Sequence, residues 1–103
     1  MKSRVTLEEL RSAITRRLVA SFDYEGASYR VEPHMLGNSP RYHAYVLVAR
    51  CLNAEEQWRA FRYAMIHNWN VHQNEKFDAL VDIPGSVLRN LEMIETTARR
   101  VRF

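Results

Sequence analysis

The residues best suited to chemistry in this chain are aromatic rings interleaved with arginines. Tyr24, Tyr29, Arg30, Tyr42, Tyr45, Trp58, Arg59, Phe61, Arg62 and Tyr63 fall in segments whose patterning suits β-strands. Rings of this kind stack on bases, and guanidinium groups pair bidentately with phosphates, so the set can hold a nucleotide or a single-stranded nucleic acid. The same residues also read as ordinary strand aromatics with solubilising charges between them. Both readings stay open on spacing alone.

Other chemistries find less support. His67 and His72 lie five apart. They face opposite sides of a strand, or diverge by about 140° on a helix, so they form no ligand pair. His34 and His43 meet only if the fold brings them together. Cys51 is the single cysteine, which excludes an intramolecular disulfide and a cysteine-pair zinc site, and its apolar segment suits inert packing. There is no G-x-S-x-G, and the three glycines, Gly26, Gly37 and Gly85, are too scattered for a phosphate-cradling loop. A non-enzymatic chain without a metal or cofactor is the expectation.

Composition sets the frame for those residues. The 103 residues suffice for one domain, and 47% apolar content with 11% aromatic residues excludes a disordered chain. Fifteen basic against twelve acidic side chains give a formal charge of +3, and only Lys2 and Lys76 among the basic residues are lysine. This arginine bias suits anion recognition, but high-GC codon usage produces it as well. Charged residues throughout positions 1–20 leave no signal-peptide core, and no apolar run approaches a membrane span, so a cytoplasmic protein is expected.

The elements that must position the rings follow from periodicity. Thr6-Leu7-Glu8-Glu9 reads as a capping box, and Leu7, Leu10, Ile14 and Leu18 make one apolar stripe, so a helix is expected over 7–17. The period then drops to two. Leu18 to Tyr24 and Tyr29 to Pro33 alternate around Glu25-Gly26 as a hairpin, with Pro33 expected to close its second strand. Gly37-Asn38-Ser39-Pro40 reads as a loop, and Tyr42 to Cys51 as a strand covered on both faces. Gln57 to Ile66 suits a helix on propensity, but the preceding strand needs a partner across a short connection, so a fourth strand is expected there and a short fifth over Asn68 to Val71. Leu88, Leu91, Ile94, Ala98 and Val101 resume helical spacing, so a C-terminal helical segment is expected over 84–100, although Thr96-Thr97 and the last residues suit an extended chain too. The resulting expectation is mainly β: a small five-stranded antiparallel barrel over 18–77 between two helices, since an open sheet would leave edges exposed.

In this order the segments resemble a known family, the WYL domains. The resemblance rests on Leu18 to Tyr24, then Tyr29-Arg30-Val31-Glu32-Pro33-His34, then Tyr45-Val46-Leu47-Val48-Ala49, then Trp58-Arg59-Ala60-Phe61-Arg62, and it spans about residues 7–77. The chain departs from the family pattern at Tyr45-Val46-Leu47, which stands where the naming tripeptide does, and at Met65, where an arginine is usual. The resemblance implies an Sm-like, Src-homology-3-like barrel and a bacterial transcription-regulatory role, sensing nucleotides or nucleic acids. Such domains usually follow a helix-turn-helix reader, and a stand-alone member is the expectation here. Carried onto matching positions, the implied ligand-binding residues are Tyr24, Arg30, His34, Tyr45, Arg59 and Arg62. Arg30 and His34 share parity on one strand. Arg59 shares parity with Phe61 and not with Arg62, so a single pocket takes at most one of the two, and the motif position favours Arg62. Arg59 is then expected to pair with a turn carboxylate such as Glu55 or Glu56. The alternative function is a protein-interaction or homo-oligomerisation module that pairs through strand edges.

Overall fold

The computed structural model describes residues 5–39, 44–55, 57–78, 83–88, 91 and 93–98. Helix α1 (Leu7–Arg16) begins where the capping box places it. The Glu9 N–H donates to Thr6 Oγ1 at 3.1 Å, and the Thr6 N–H donates to Glu9 Oε1 at 3.3 Å. These two bonds satisfy donors that the first helical turn leaves without partners. Thr6→Ala is therefore expected to lower stability by about 1 kcal/mol, read as a lower urea midpoint at unchanged m-value. The helix ends at Arg17, which adopts the left-handed conformation (φ 57°) and returns its N–H to the carbonyls of Ala13 and Ile14.

Strands β1 (Leu18–Tyr24) and β2 (Ala27–Ser39) form the expected hairpin, with Glu25 (φ 50°) and Gly26 (φ 79°) as its two-residue turn. Positive φ at both positions matches the right-handed twist of the flanking strands, and glycine adopts it without steric cost. Strands β3 (Ala44–Cys51) and β4 (Trp58–Arg62) continue the sheet, and a single 3-10 turn over Tyr63–Met65 leads into β5 (His67–Lys76). A four-residue helix, α2 (Gly85–Leu88), precedes β6 (Met93–Thr97). All pairings are antiparallel, in the order β4-β3-β2-β1-β5, with β6 added on β2.

Several expectations are corrected. The six-stranded sheet curls over its core but does not close into a five-stranded barrel, because β4 and β5 end the ladder without pairing with each other. Among the described residues, the C-terminal segment is helical only over Gly85–Leu88, and 93–97 is a strand. The reason is the length of β2. Its first residues pair with β1, and Met35 to Asn38 then offer that same edge to Thr97 through Met93. Ile94, Thr96 and Thr97 are β-branched and suit that edge, and Ile94 is 54% exposed, so it is no part of a buried helical stripe. Positions 89, 90, 92, 99 and 100 of the expected helix lie outside the described residues, as do Val101, Arg102 and Phe103.

Gly37-Asn38-Ser39 is strand and not loop, since ladders to β3 on one side and β6 on the other outweigh turn-prone composition, while Pro40 lies outside the described residues. Pro33 does not close β2. The chain continues through it by a register shift between Pro33 and Met35, where a residue without an N–H is tolerated. The fourth strand stops at Arg62, and the fifth is longer than expected because it bulges. The two-residue step from Leu18 to Ala20 in β1 faces the longer stretch from Lys76 back to Val71 in β5. Tyr42 and His43, at the start of the expected third strand, lie outside the described residues.

Leu10 and Ile14 of α1 join Phe22, Leu36, Leu47, Phe61 and Ile66 of the sheet and the turns in one buried cluster. Tyr63 Oη donates to the Val5 carbonyl at 2.6 Å and so ties the start of the chain to the turn after β4. Cys51 is buried, consistent with its reading as packing. No helix among the described residues is long and apolar enough to cross a membrane.

Candidate functional site

The hairpin register places Phe22 directly opposite Tyr29, and β4 brings Phe61 across from Leu47. Because the sheet curls, these rings converge although β1 and β4 are not ladder partners. Phe61 meets Phe22 and Tyr24 edge to face, each at 4.9 Å between centroids, and Tyr29 at 5.2 Å. Trp69 of β5 stacks on Phe22 at 5.9 Å. The inner part of this cluster is core, since Phe22, Tyr24 and Phe61 are all buried.

One cation lies on the cluster. The Arg59 guanidinium carbon is 5.2 Å from the ring centres of both Tyr29 and Phe61 and 5.8 Å from that of Tyr24. Its Nη1 donates to Tyr29 Oη at 2.5 Å. Arg59 and Tyr29 are only half-buried, so they form the open rim of an otherwise closed aromatic cluster. A guanidinium held against rings and a phenol has little rotamer freedom left to lose when an anion arrives.

The six expected site residues do not form one pocket. Tyr24 and Arg59 come together at the rim cluster. Arg62 reaches it through its backbone, whose N–H donates to Tyr24 Oη at 3.1 Å, while its side chain is exposed on the opposite parity. Of the two arginines, Arg59 lies over the rings, and the polar partner it meets there is Tyr29; Glu56 lies outside the described residues. Arg30 faces the other side of the sheet, opposite Ser21, and pairs with Glu75 of β5. On that side Ser21 Oγ also meets His72 Nε2 at 2.5 Å, so side chains hold β5 to the hairpin around the bulge. Tyr45 is half-buried opposite Asn38 and packs against the core.

His34 is parted from Arg30 by the register shift at Pro33. It is 2% exposed, with Trp58 and Phe77 at 5.0 and 4.6 Å between ring centres and Glu32 Oε1 3.4 Å from its Nε2. Burial pushes its pKa below the ordinary histidine value, against the opposing pull of Glu32, while Arg50 adds to the lowering and Asp78 opposes it. Such a histidine is more readily protonated in the unfolded chain. Stability from this residue is thus complete above the ordinary histidine pKa of about 6.5 and is lost as pH falls from there through the lowered folded value. Melting temperature is expected to decline over that window, and His34→Phe is expected to flatten the decline.

Tyr29 and Phe61 belong to the site, although family positions alone do not point to them. Tyr29 is recoverable from the two-residue turn, which sets Phe22 opposite it, and Phe61 from its parity with Arg59. Among the described residues, no group of three or more His, Cys, Asp or Glu side chains could hold a metal ion.

A curled antiparallel sheet, capped by one helix and carrying an arginine on an aromatic rim, defines a small β-rich domain. A model of the WYL domain matches residues 5–71, well over half of the chain, and the chain belongs to the WYL domain family. Membership indicates, in general terms, a regulatory ligand-sensing domain. No curated protein and no solved structure matches the chain.

Proposed function

We propose that this chain is a non-enzymatic sensor domain that binds an anionic ligand, a nucleotide or single-stranded nucleic acid, at the rim formed by Arg59 and Tyr29. The observation that carries this reading is the placement of Arg59 over three rings with Tyr29 Oη as its hydrogen-bond partner. The fork of the guanidinium suits a phosphate, and the exposed part of Tyr29 suits stacking by an unpaired base. The formal charge of +3 favours such an encounter.

Fluorescence anisotropy of short labelled single-stranded RNA and DNA, titrated with the protein at low and at physiological salt, tests the reading. Saturable binding that weakens with salt is expected, since phosphate contacts release counterions. Flat curves at both salts would overturn it.

A second reading draws on the ends of the ladder. Strands β4 and β5 each keep one edge unpaired by the described strands, and such edges template pairing with another chain. A homo-oligomer formed this way gives a mass by light scattering that rises with concentration. A constant monomer mass counts against it.

A further inference from the structure

Beside Trp69, α1 and β5 stand apart over a groove of about 370 Å³ that includes neither Arg59 nor Tyr29 in its lining. Its origin lies in the register of β5. Between the pairs Ala20–Val71 and Leu18–Lys76 this strand carries extra residues, and the bulge lifts Gln73 toward the helix. There Gln73 Oε1 accepts a hydrogen bond from Arg16 Nη2 at 3.1 Å, which bridges the groove. Leu18, Val71 and Ala13 supply apolar lining, while Ser12 and Arg16, one helical turn apart, supply a hydroxyl and a guanidinium on one wall.

Two further features narrow what fits. Trp69 lines the groove, and its indole Nε1 is buried with no acceptor among the described residues. An unmet buried donor favours any small shift that brings it an acceptor. Glu9 also lines the groove, about 10 Å along the helix axis from Arg16, and its carboxylate, turned back to Thr6, sets a negative charge at the opposite end from that cation. A ligand with one negative charge is thus drawn to the Arg16 end, and one with a second, distant negative charge is repelled at the other.

We propose that this groove is a second binding site, separate from the Arg59 rim, for a small organic monocarboxylate with a flat apolar body. The carboxylate displaces Gln73 from Arg16 and takes the Ser12 hydroxyl as a second donor. The apolar body lies along Leu18, Val71 and the Trp69 ring. The volume, at the lower end of the usual range for small-molecule sites, suits a single-ring ligand.

Sodium benzoate, its neutral analogue benzamide and the dianion terephthalate, whose second carboxylate lies at the far end of the ring, are the probes, with the two indole N–H resonances of Trp58 and Trp69 as the readout. Trp58→Phe and Trp69→Phe assign the two signals. Benzoate is expected to shift the Trp69 signal saturably while the Trp58 signal stays in place. Benzamide and terephthalate are each expected to bind at least about tenfold more weakly, as is benzoate to Arg16→Gln. Arg59→Ala leaves the benzoate response intact, so failure here and failure at the rim are distinguishable. The proposal is overturned if the Trp69 signal does not move, if both indoles move together, if terephthalate binds as well as benzoate, or if Arg16→Gln leaves the response unchanged.

Discussion

Phe61→Ala is expected to remove about 3–5 kcal/mol of stability, the usual loss for truncating a fully buried phenylalanine. Phe61 has no exposed surface and meets Phe22, Tyr24 and Tyr29 at once, two of them at 4.9 Å in edge-to-face geometry. Each such ring pair adds roughly 0.5–1.5 kcal/mol beyond burial, so the upper part of the range is expected. A domain of this size has only about 5–15 kcal/mol in total, and the variant therefore stands near unfolding at 37 °C. Urea melts followed by tryptophan fluorescence measure it, because Trp69 stacks on Phe22 within the same cluster. Phe61→Leu refills most of the volume and is expected to lose clearly less. A loss below about 1 kcal/mol for Phe61→Ala would mean that the sheet is not packed around this ring.

Arg59→Ala carries the second large effect, on binding and not on folding. A hydrogen bond to a charged group is worth about 1.5–3 kcal/mol, so removing the rim guanidinium weakens an anionic ligand roughly ten- to hundredfold. Arg59→Lys keeps the charge but loses the planar fork and its stacking on Tyr29, and recovers only part of that loss. Arg62→Ala is expected to leave affinity within about twofold, because the contact it makes to Tyr24 Oη is through the backbone N–H, which alanine retains. Anisotropy titrations of the three variants measure these differences, with the urea midpoint of each showing that the sheet is intact. Equal losses at Arg59 and Arg62 would point to a diffuse cationic surface.

Where local chemistry and tertiary context agree, the sequence is readable. Thr6 and Glu9 mark the start of α1, Glu25-Gly26 marks the hairpin, and the unbroken apolar run Val46 to Ala49 marks a strand buried on both faces. The misreadings at Pro33, at Gly37-Asn38-Ser39 and in the C-terminal segment share one cause, the thirteen-residue β2. Neither Pro33 nor Gly37-Asn38-Ser39 looks like strand locally, and only ladders on both sides hold them there. That same edge draws Met93 to Thr97 out of a helical pattern, because the β-branched Ile94, Thr96 and Thr97 suit an extended chain once a partner edge is offered. The length of β5 is hidden for the opposite reason: its bulge is filled by polar His72, Gln73, Asn74 and Glu75, which carry no alternation.

The site was half legible. Side-chain parity separates Arg59 from Arg62 and sets Arg59 beside Phe61, and that geometry holds in the folded chain. Motif position favours Arg62, yet it is Arg59 that lies on the rings. Arg30 and His34 looked like neighbours until the register shift at Pro33 turned one toward Glu75 and the other into a buried aromatic box. One bulge, unreadable from spacing, separates an exposed ion pair from a buried histidine.

The central claim is that Arg59 is the group through which this domain reads a phosphate. The most direct measurement is the slope of log K against log salt concentration for a short single strand, compared between the unaltered chain, Arg59→Ala and Arg62→Ala. Loss of one phosphate contact reduces that slope by about 0.7 for a single strand. Such a reduction is expected for Arg59→Ala, with an unchanged slope for Arg62→Ala. An unchanged slope for Arg59→Ala would contradict the claim.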